Sequence, residues 1–242
     1  MHDCGESISP ELIRQLVDAG IALGAKGQFP REERVANIAL SLADGIRDPA
    51  SRARALWLLG RARDSQDAYD EALADYAKSL EAARAAGDKQ TEGRALVGTG
   101  FTYYNQYEFD KAQEPLKRGL EIALSVGDHM IADNAYLAMS GMHLLSGDYI
   151  SALRELDLAR EEAQKADDRI VVAAATANSG LVFIDMNNPY LAAERLRDAI
   201  ELYHALGNKR GEMRNVRNLA EVEAANEHPK VAEQLLDRLD AY

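Results

Sequence analysis

Residues able to carry out chemistry are scattered through this sequence without a catalytic pattern. The five histidines, His2, His129, His143, His204 and His228, fall at unrelated spacings. No His-Glu-x-x-His run and no cysteine pair offers metal-ligand spacing. Gly98-Thr99-Gly100 has the outline of a phosphate-cradling turn, but the later glycine and the preceding strand of a nucleotide-binding fingerprint are missing. Asp185-Met186-Asn187-Asn188-Pro189 offers oxygens to calcium, yet reads more simply as the end of one helix and the start of another. Glu161-Glu162 reads as a solvated helix surface. No enzyme activity, metal or cofactor is expected. Recognition chemistry is better represented: arginine recurs at Arg14, Arg54, Arg94 and Arg214, and guanidinium groups pair bidentately with carboxylates.

Those arginines stand at multiples of forty residues, and so do many other residues. Alanine occupies 72, 112, 152, 192 and 232. An aromatic recurs at Phe29, Tyr69, Phe109 and Tyr149, and a small residue at Gly20, Gly60, Gly100, Ser140, Gly180 and Ala220. A bulky residue recurs at Tyr76, Leu116, Leu156, Leu196 and Leu236. The length of 242 residues accommodates six such periods. Alanine fills 41 positions while aromatics make up only 6%, a balance that favours close-packed helices over sheets.

Each period reads as two helices, with apolar residues at helical spacing in the first (Ala95, Leu96, Thr99, Tyr103) and the second (Ala112, Leu116, Leu120, Ala123). Gly87-Asp88, Gly127-Asp128 and Gly207-Asn208 close second helices, the glycine as C-terminal cap and the polar residue beginning the next helix. Gly147-Asp148 marks a turn within a pair, and Pro189 and Pro229 suit helix starts. Asp167-Asp168 lacks the glycine, and Pro115 falls about one turn into its helix, where a kink is expected. An isolated helical hairpin cannot bury its apolar face, so the pairs must stack. Repeated glycines inside helices, each unfavourable by up to about 1 kcal/mol against alanine, imply close helix approach. The expected fold is all-α, a right-handed superhelical solenoid of about six antiparallel pairs. Its repeats are 11–49, 50–89, 90–129, 130–169, 170–209 and 210–242, after a polar leader at 1–10.

The small residue with alanine twelve positions later (Gly60/Ala72, Gly100/Ala112, Gly180/Ala192), the intervening aromatic (Tyr69, Phe109, Tyr149) and the second small residue (Ser79, Gly119, Ala159, Ala199) resemble the tetratricopeptide repeat. The period is longer than the usual length of about 34. It is similar to the variety in kinesin light chains, mitotic scaffolds, bacterial pheromone-sensing regulators and the sensory portions of bacterial diguanylate cyclases. Residues 202–222 are especially similar to that last group. A HEAT-like repeat is the competing reading, with a different small-residue pattern.

The resemblance implies that the first helix of each pair lines a concave groove. Its expected ligand residues are Arg14, Arg54, Arg94, Asn134 and Arg214 in one column, with Trp57, Arg61, Phe101, Tyr104 and Arg217 beside them. Asn178 and Asn218 stand where peptide-binding relatives place backbone-bonding asparagines. The implied function is a non-catalytic scaffold for a protein or peptide with acidic or carboxylate groups, in bacterial signalling or regulation. The alternative is the sensory or dimerisation part of a larger signalling enzyme such as a diguanylate cyclase. In the last repeats Leu191, Val231 and Leu235 replace polar column-mates, and this suggests self-association as a homodimer.

A formal charge of −12 repels nucleic-acid phosphates and anionic lipids, so neither is an expected partner. The single cysteine, Cys4, allows no intrachain disulfide. The N-terminal stretch lacks the pattern of a signal peptide, no run approaches membrane-spanning length, and a cytoplasmic location is expected.

Overall fold

The structure, a computed structural model, describes residues 8–226 and 228–240, apart from the side chains at 238 and 240. Cys4, His2 and most of the expected leader lie outside the described residues. Twelve helices and no strand are found among the described residues. They are α1 (Pro10–Ala25), α2 (Phe29–Ile46), α3 (Pro49–Asp64), α4 (Tyr69–Ala86), α5 (Lys89–Asn105), α6 (Phe109–Val126), α7 (His129–Ser146), α8 (Tyr149–Lys165), α9 (Arg169–Asp185), α10 (Pro189–Ala205), α11 (Lys209–Ala225) and α12 (Pro229–Asp240). The expected all-α architecture of helix pairs is the observed one.

The turns from α1 to α11 are built alike. A residue in the left-handed region recurs each twenty positions, at Gly27, Arg47, Asp67, Gly87, Tyr107, Gly127, Gly147, Asp167, Asn187 and Gly207, with φ between 53° and 78°. The following backbone N–H donates to the carbonyl five residues back, as from Asp88 to Ala83 and from Asp128 to Ala123, both at 2.9 Å. This closes the last helical carbonyls. Asp167 takes the position that the sequence leaves without glycine. Asp48, Asp88, Asp168 and Asn208 cap the first helices of their pairs through their side chains. Pro189 stands at the start of α10, and α6 runs to Val126 with Pro115 inside it.

The chain divides into two compact units, Met1–Ile131 and Ala132–Tyr242. In the N-terminal unit each helix packs on the next, and first helices also meet first helices, α1 with α3 and α3 with α5. The small-residue columns make this possible. A Cβ on Gly100 would lie 2.6 Å from Leu116 and 3.0 Å from the Ala112 carbonyl oxygen, and one on Gly98 would lie 2.6 Å from the Tyr76 ring. Gly98-Thr99-Gly100 is therefore a helix-packing surface. Ser79, fully buried, donates to the Ala53 carbonyl at 2.8 Å. In the C-terminal unit Ala152, Leu156, Ala159, Ala175 and Val182 form one core cluster, and Leu196, Val216 and Leu219 belong to another. The alanines at 72, 112, 152 and 192 are fully buried.

Candidate ligand surface on the first helices

In the N-terminal unit the arginine column is tied into the protein. Arg54, on α3, donates from Nε to Asp88 Oδ2 at 3.1 Å. Asp88 also caps α5, accepting from the Thr91 backbone N–H at 3.1 Å and from its hydroxyl at 3.0 Å. One repeat later Arg94 donates to Asp128 Oδ2 at 2.8 Å, and Gln90 donates to the same oxygen at 3.0 Å. Each arginine thus holds the aspartate that precedes the next first helix. Arg14 lies outside this scheme, exposed and paired on its own helix with Glu11 at 2.7 Å and Asp18 at 3.4 Å.

Trp57 is 3% exposed, with the Arg61 and Arg94 guanidinium carbons 5.5 and 5.1 Å from its ring. Both distances fall within cation–π range. Arg61 donates to Glu32 at 2.8 Å. Burial pushes the Glu32 carboxyl above its ordinary value while Arg61 pulls it down. Phe101 and Tyr104 come together, ring centroids 6.0 Å apart, and Phe109 and Tyr107 continue the cluster to the turn. Tyr107 is 75% exposed.

In the C-terminal unit the same columns are occupied differently. Asn134, on α7, is half-buried and bonded within the protein, and the next member of the arginine column is Ala174. Asn178 on α9 and Asn218 on α11 are half-buried. Arg214 and Arg217 are exposed and line a concavity of about 530 Å³ with Arg210, Met213, Gly211, Asn208, Tyr203 and Ile170. None of these three arginines forms an ion pair among the described residues. The Tyr203 ring packs where a Cβ on Gly211 would stand, at 2.5 Å. Burial raises the Tyr203 hydroxyl above its ordinary value, opposed by Arg214 beside it. Of the residues lining this concavity, the sequence-based expectation includes Arg214 and Arg217 but not Arg210, Tyr203 and Ile170. Arg210 shares a column with Gln90, so the forty-residue register contained a signal for it.

Three of the described histidines have carboxylate partners. His143 lies 2.9 Å from Glu155, His204 3.2 Å from Glu212 and His228 2.8 Å from Glu223. Among the described residues no cluster of His, Cys, Asp or Glu could hold a metal ion, and no helix is long and apolar enough to cross a membrane. At the C-terminal end Leu235 and Leu239 turn inward against the Leu196 and Val216 cluster, and Leu191 is half-buried. Val231 and Leu236 are the exposed apolar pair, at 40% and 50%.

No family model matches the chain, and no curated protein matches it significantly. Among solved structures it is similar to BtubC (BKLC) from P. vanneervenii, with TM-score 0.73 and 19% identity over 89% of each chain. It is similar to the apo form of RapI, with TM-score 0.70 and 17% identity over 99% of this chain and 85% of that one. A third is NprR in complex with its cognate peptide NprX, with TM-score 0.65 and 17% identity over 95% of this chain and 66% of that one. The paired helices, the buried columns at forty-residue steps and these likenesses together give the chain the fold of the tetratricopeptide-like helical repeat proteins.

Proposed function

We propose that the chain is a non-catalytic scaffold in bacterial signalling or regulation, working in the cytoplasm. It binds a protein or peptide on its first-helix face, and the ligand brings a carboxylate to α11. The observation that carries this reading is the convergence of Arg210, Arg214 and Arg217 on one concavity without an ion-pair partner among the described residues. A formal charge of −12 does not oppose it, because exposed charges beyond about 10 Å are screened while contact pairs are not. Ile170 and Met213 add apolar surface beside the charge. NprR in complex with its cognate peptide and a Rap protein complexed with Competence and Sporulation Factor support a peptide as the ligand class.

Calorimetry with two peptides of equal length, one glutamate-rich and one lysine-rich, tests the proposal. The acidic peptide is expected to bind. Arg214→Ala with Arg217→Ala should weaken it at least about tenfold, or roughly 1.4 kcal/mol. Equal binding of the two peptides, or an undiminished affinity in the double variant with helicity intact, would contradict the proposal.

A further inference from the structure

The turns between α3 and α4 and between α5 and α6 bring aromatic rings and carboxylates together in the N-terminal unit. Phe101, Tyr104, Phe109 and Tyr107 follow one another with ring centroids 6.0, 6.0 and 6.1 Å apart. Asp64, half-buried, accepts from the side chain of Asn105 at 3.3 Å, which sets its carboxylate beside this row. Asp67, exposed, accepts from the Tyr69 hydroxyl at 2.7 Å. That hydroxyl is pushed up to about 12, first by the bond to Asp67 and then by burial and the charges of Asp67, Asp64 and Tyr107. Tyr69 therefore feels both carboxylates and the Tyr107 phenol at once.

Among the described residues neither Asp64 nor Asp67 has an ion-pair partner, and no cation lies over any of the four rings. Arg63, next to Asp64 in the chain, is engaged by Asp75 at 2.6 Å and Glu33 at 3.3 Å. Lys111, two residues past Phe109, pairs with Glu108 at 2.5 Å and lies over the Tyr103 ring at 5.6 Å. The fold does not demand this cluster. In the C-terminal unit the column of Asp64 and Tyr104 holds Leu144 and Ile184, and that of Asp67 and Tyr107 holds Gly147 and Asn187. Tyr107 is moreover 75% exposed at φ 62°, a conformation that bulky side chains rarely adopt.

We propose that this end of the N-terminal unit is a subsite for an arginine side chain of a bound protein or peptide, its guanidinium lying on the rings of Tyr104 and Tyr107 and pairing with Asp64 and Asp67. A guanidinium suits the site better than an ammonium group, because it is planar, stacks on a ring face and offers a fork of donors to a carboxylate. The protein makes the same kind of contact internally, where Arg61 and Arg94 flank Trp57. The subsite lies wholly within the N-terminal unit and stands or falls separately from the carboxylate reading of α11.

The test titrates the whole chain, labelled at tyrosine for NMR, with a capped glycine-arginine-glycine tripeptide. Two control probes carry lysine or the neutral citrulline in place of arginine. Saturating shifts of the Tyr104 and Tyr107 ring signals are expected below about 20 mM arginine probe, with at least about tenfold weaker binding of the citrulline probe. Tyr107→Gly, read from Tyr104, and Asp64→Asn should each weaken the arginine probe at least about fivefold. Tyr107→Gly relieves the left-handed backbone, and Asp64→Asn removes a charge that burial disfavours, so neither should lower the melting temperature. Arg214→Ala with Arg217→Ala should leave the affinity for this probe unchanged. No saturation, equal binding of the citrulline probe, or arginine binding untouched by both variants would overturn the subsite. Equal binding of the lysine probe would overturn the assignment to a guanidinium.

Discussion

The two units fill the same repeat columns differently. Arg63 bonds Asp75 at 2.6 Å and Arg84 bonds Glu92 at 2.9 Å in the N-terminal unit. At the matching positions of the C-terminal unit stand His143 with Glu155 and His204 with Glu212. Arg54 and Arg94 hold carboxylates, whereas Arg214 in their column has an ion-pair partner nowhere among the described residues. The same column therefore holds tied arginines in one unit and an arginine without an ion pair among the described residues in the other. Residue type alone does not show this: Arg54 is tied to Asp88 and Arg94 to Asp128, each across thirty-four residues.

The largest expected effect lies in the N-terminal packing. Gly100→Leu pushes side-chain carbons toward Leu116 and the Ala112 carbonyl, and should lower stability by about 1–3 kcal/mol. Its melting curve should split, because a repeat array loses structure locally. An unchanged curve would mean that Gly100 does not sit at a helix crossing.

Acid titration sharpens the contrast between arginine and histidine ties. Burial pushes Glu92 up, but bonds from Lys89 and Arg84 more than offset it, and its carboxyl ends below the ordinary 4.5. Glu92 therefore contributes stability that is present above pH 4.5 and lost as pH falls through its lowered folded value. Glu155 ends above 4.5 because burial outweighs the opposing His143. Its contribution is present below pH 4.5 and lost as pH rises through the raised value. Glu92→Gln should destabilise at pH 7 and less so in acid, and Glu155→Gln should show the opposite trend. Denaturant midpoints across that range decide it; parallel trends would dissolve the contrast.

The smallest effect concerns a turn. Arg47 is exposed and held at φ 55°, where glycine is at ease. Arg47→Gly should raise stability by about 0.5–1 kcal/mol at unchanged ligand affinity. A lower melting temperature would show that the arginine side chain outweighs the strain.

The helix pairs were legible because close packing leaves a periodic trace: the alanine column and the glycines of α3, α5 and α9 are forced by contacts that no larger side chain tolerates. The twenty-residue turn rhythm was only half legible, since Arg47, Asp67, Tyr107, Asp167 and Asn187 adopt the left-handed conformation without being glycine. The candidate ligand surface was less legible still. Arg54, Arg94 and Arg214 look alike in sequence, and their different roles depend on which carboxylate reaches them in space. Leu235 and Leu236 differ similarly: which one faces inward follows from the rotation of α12, which a column of neighbouring apolar residues does not fix.

The most direct test of the division between ties and recognition is a crossed measurement of melting temperature and acidic-peptide affinity. It compares Arg54→Ala with Arg94→Ala against Arg214→Ala with Arg217→Ala. Removing the ties should lower stability by about 1–3 kcal/mol per unpaired partner, Asp88 or Asp128, and leave the dissociation constant within about twofold. Removing the open arginines should leave melting within a degree or so and weaken the peptide about tenfold or more. Affinity lost in the first double variant and kept in the second would contradict the account.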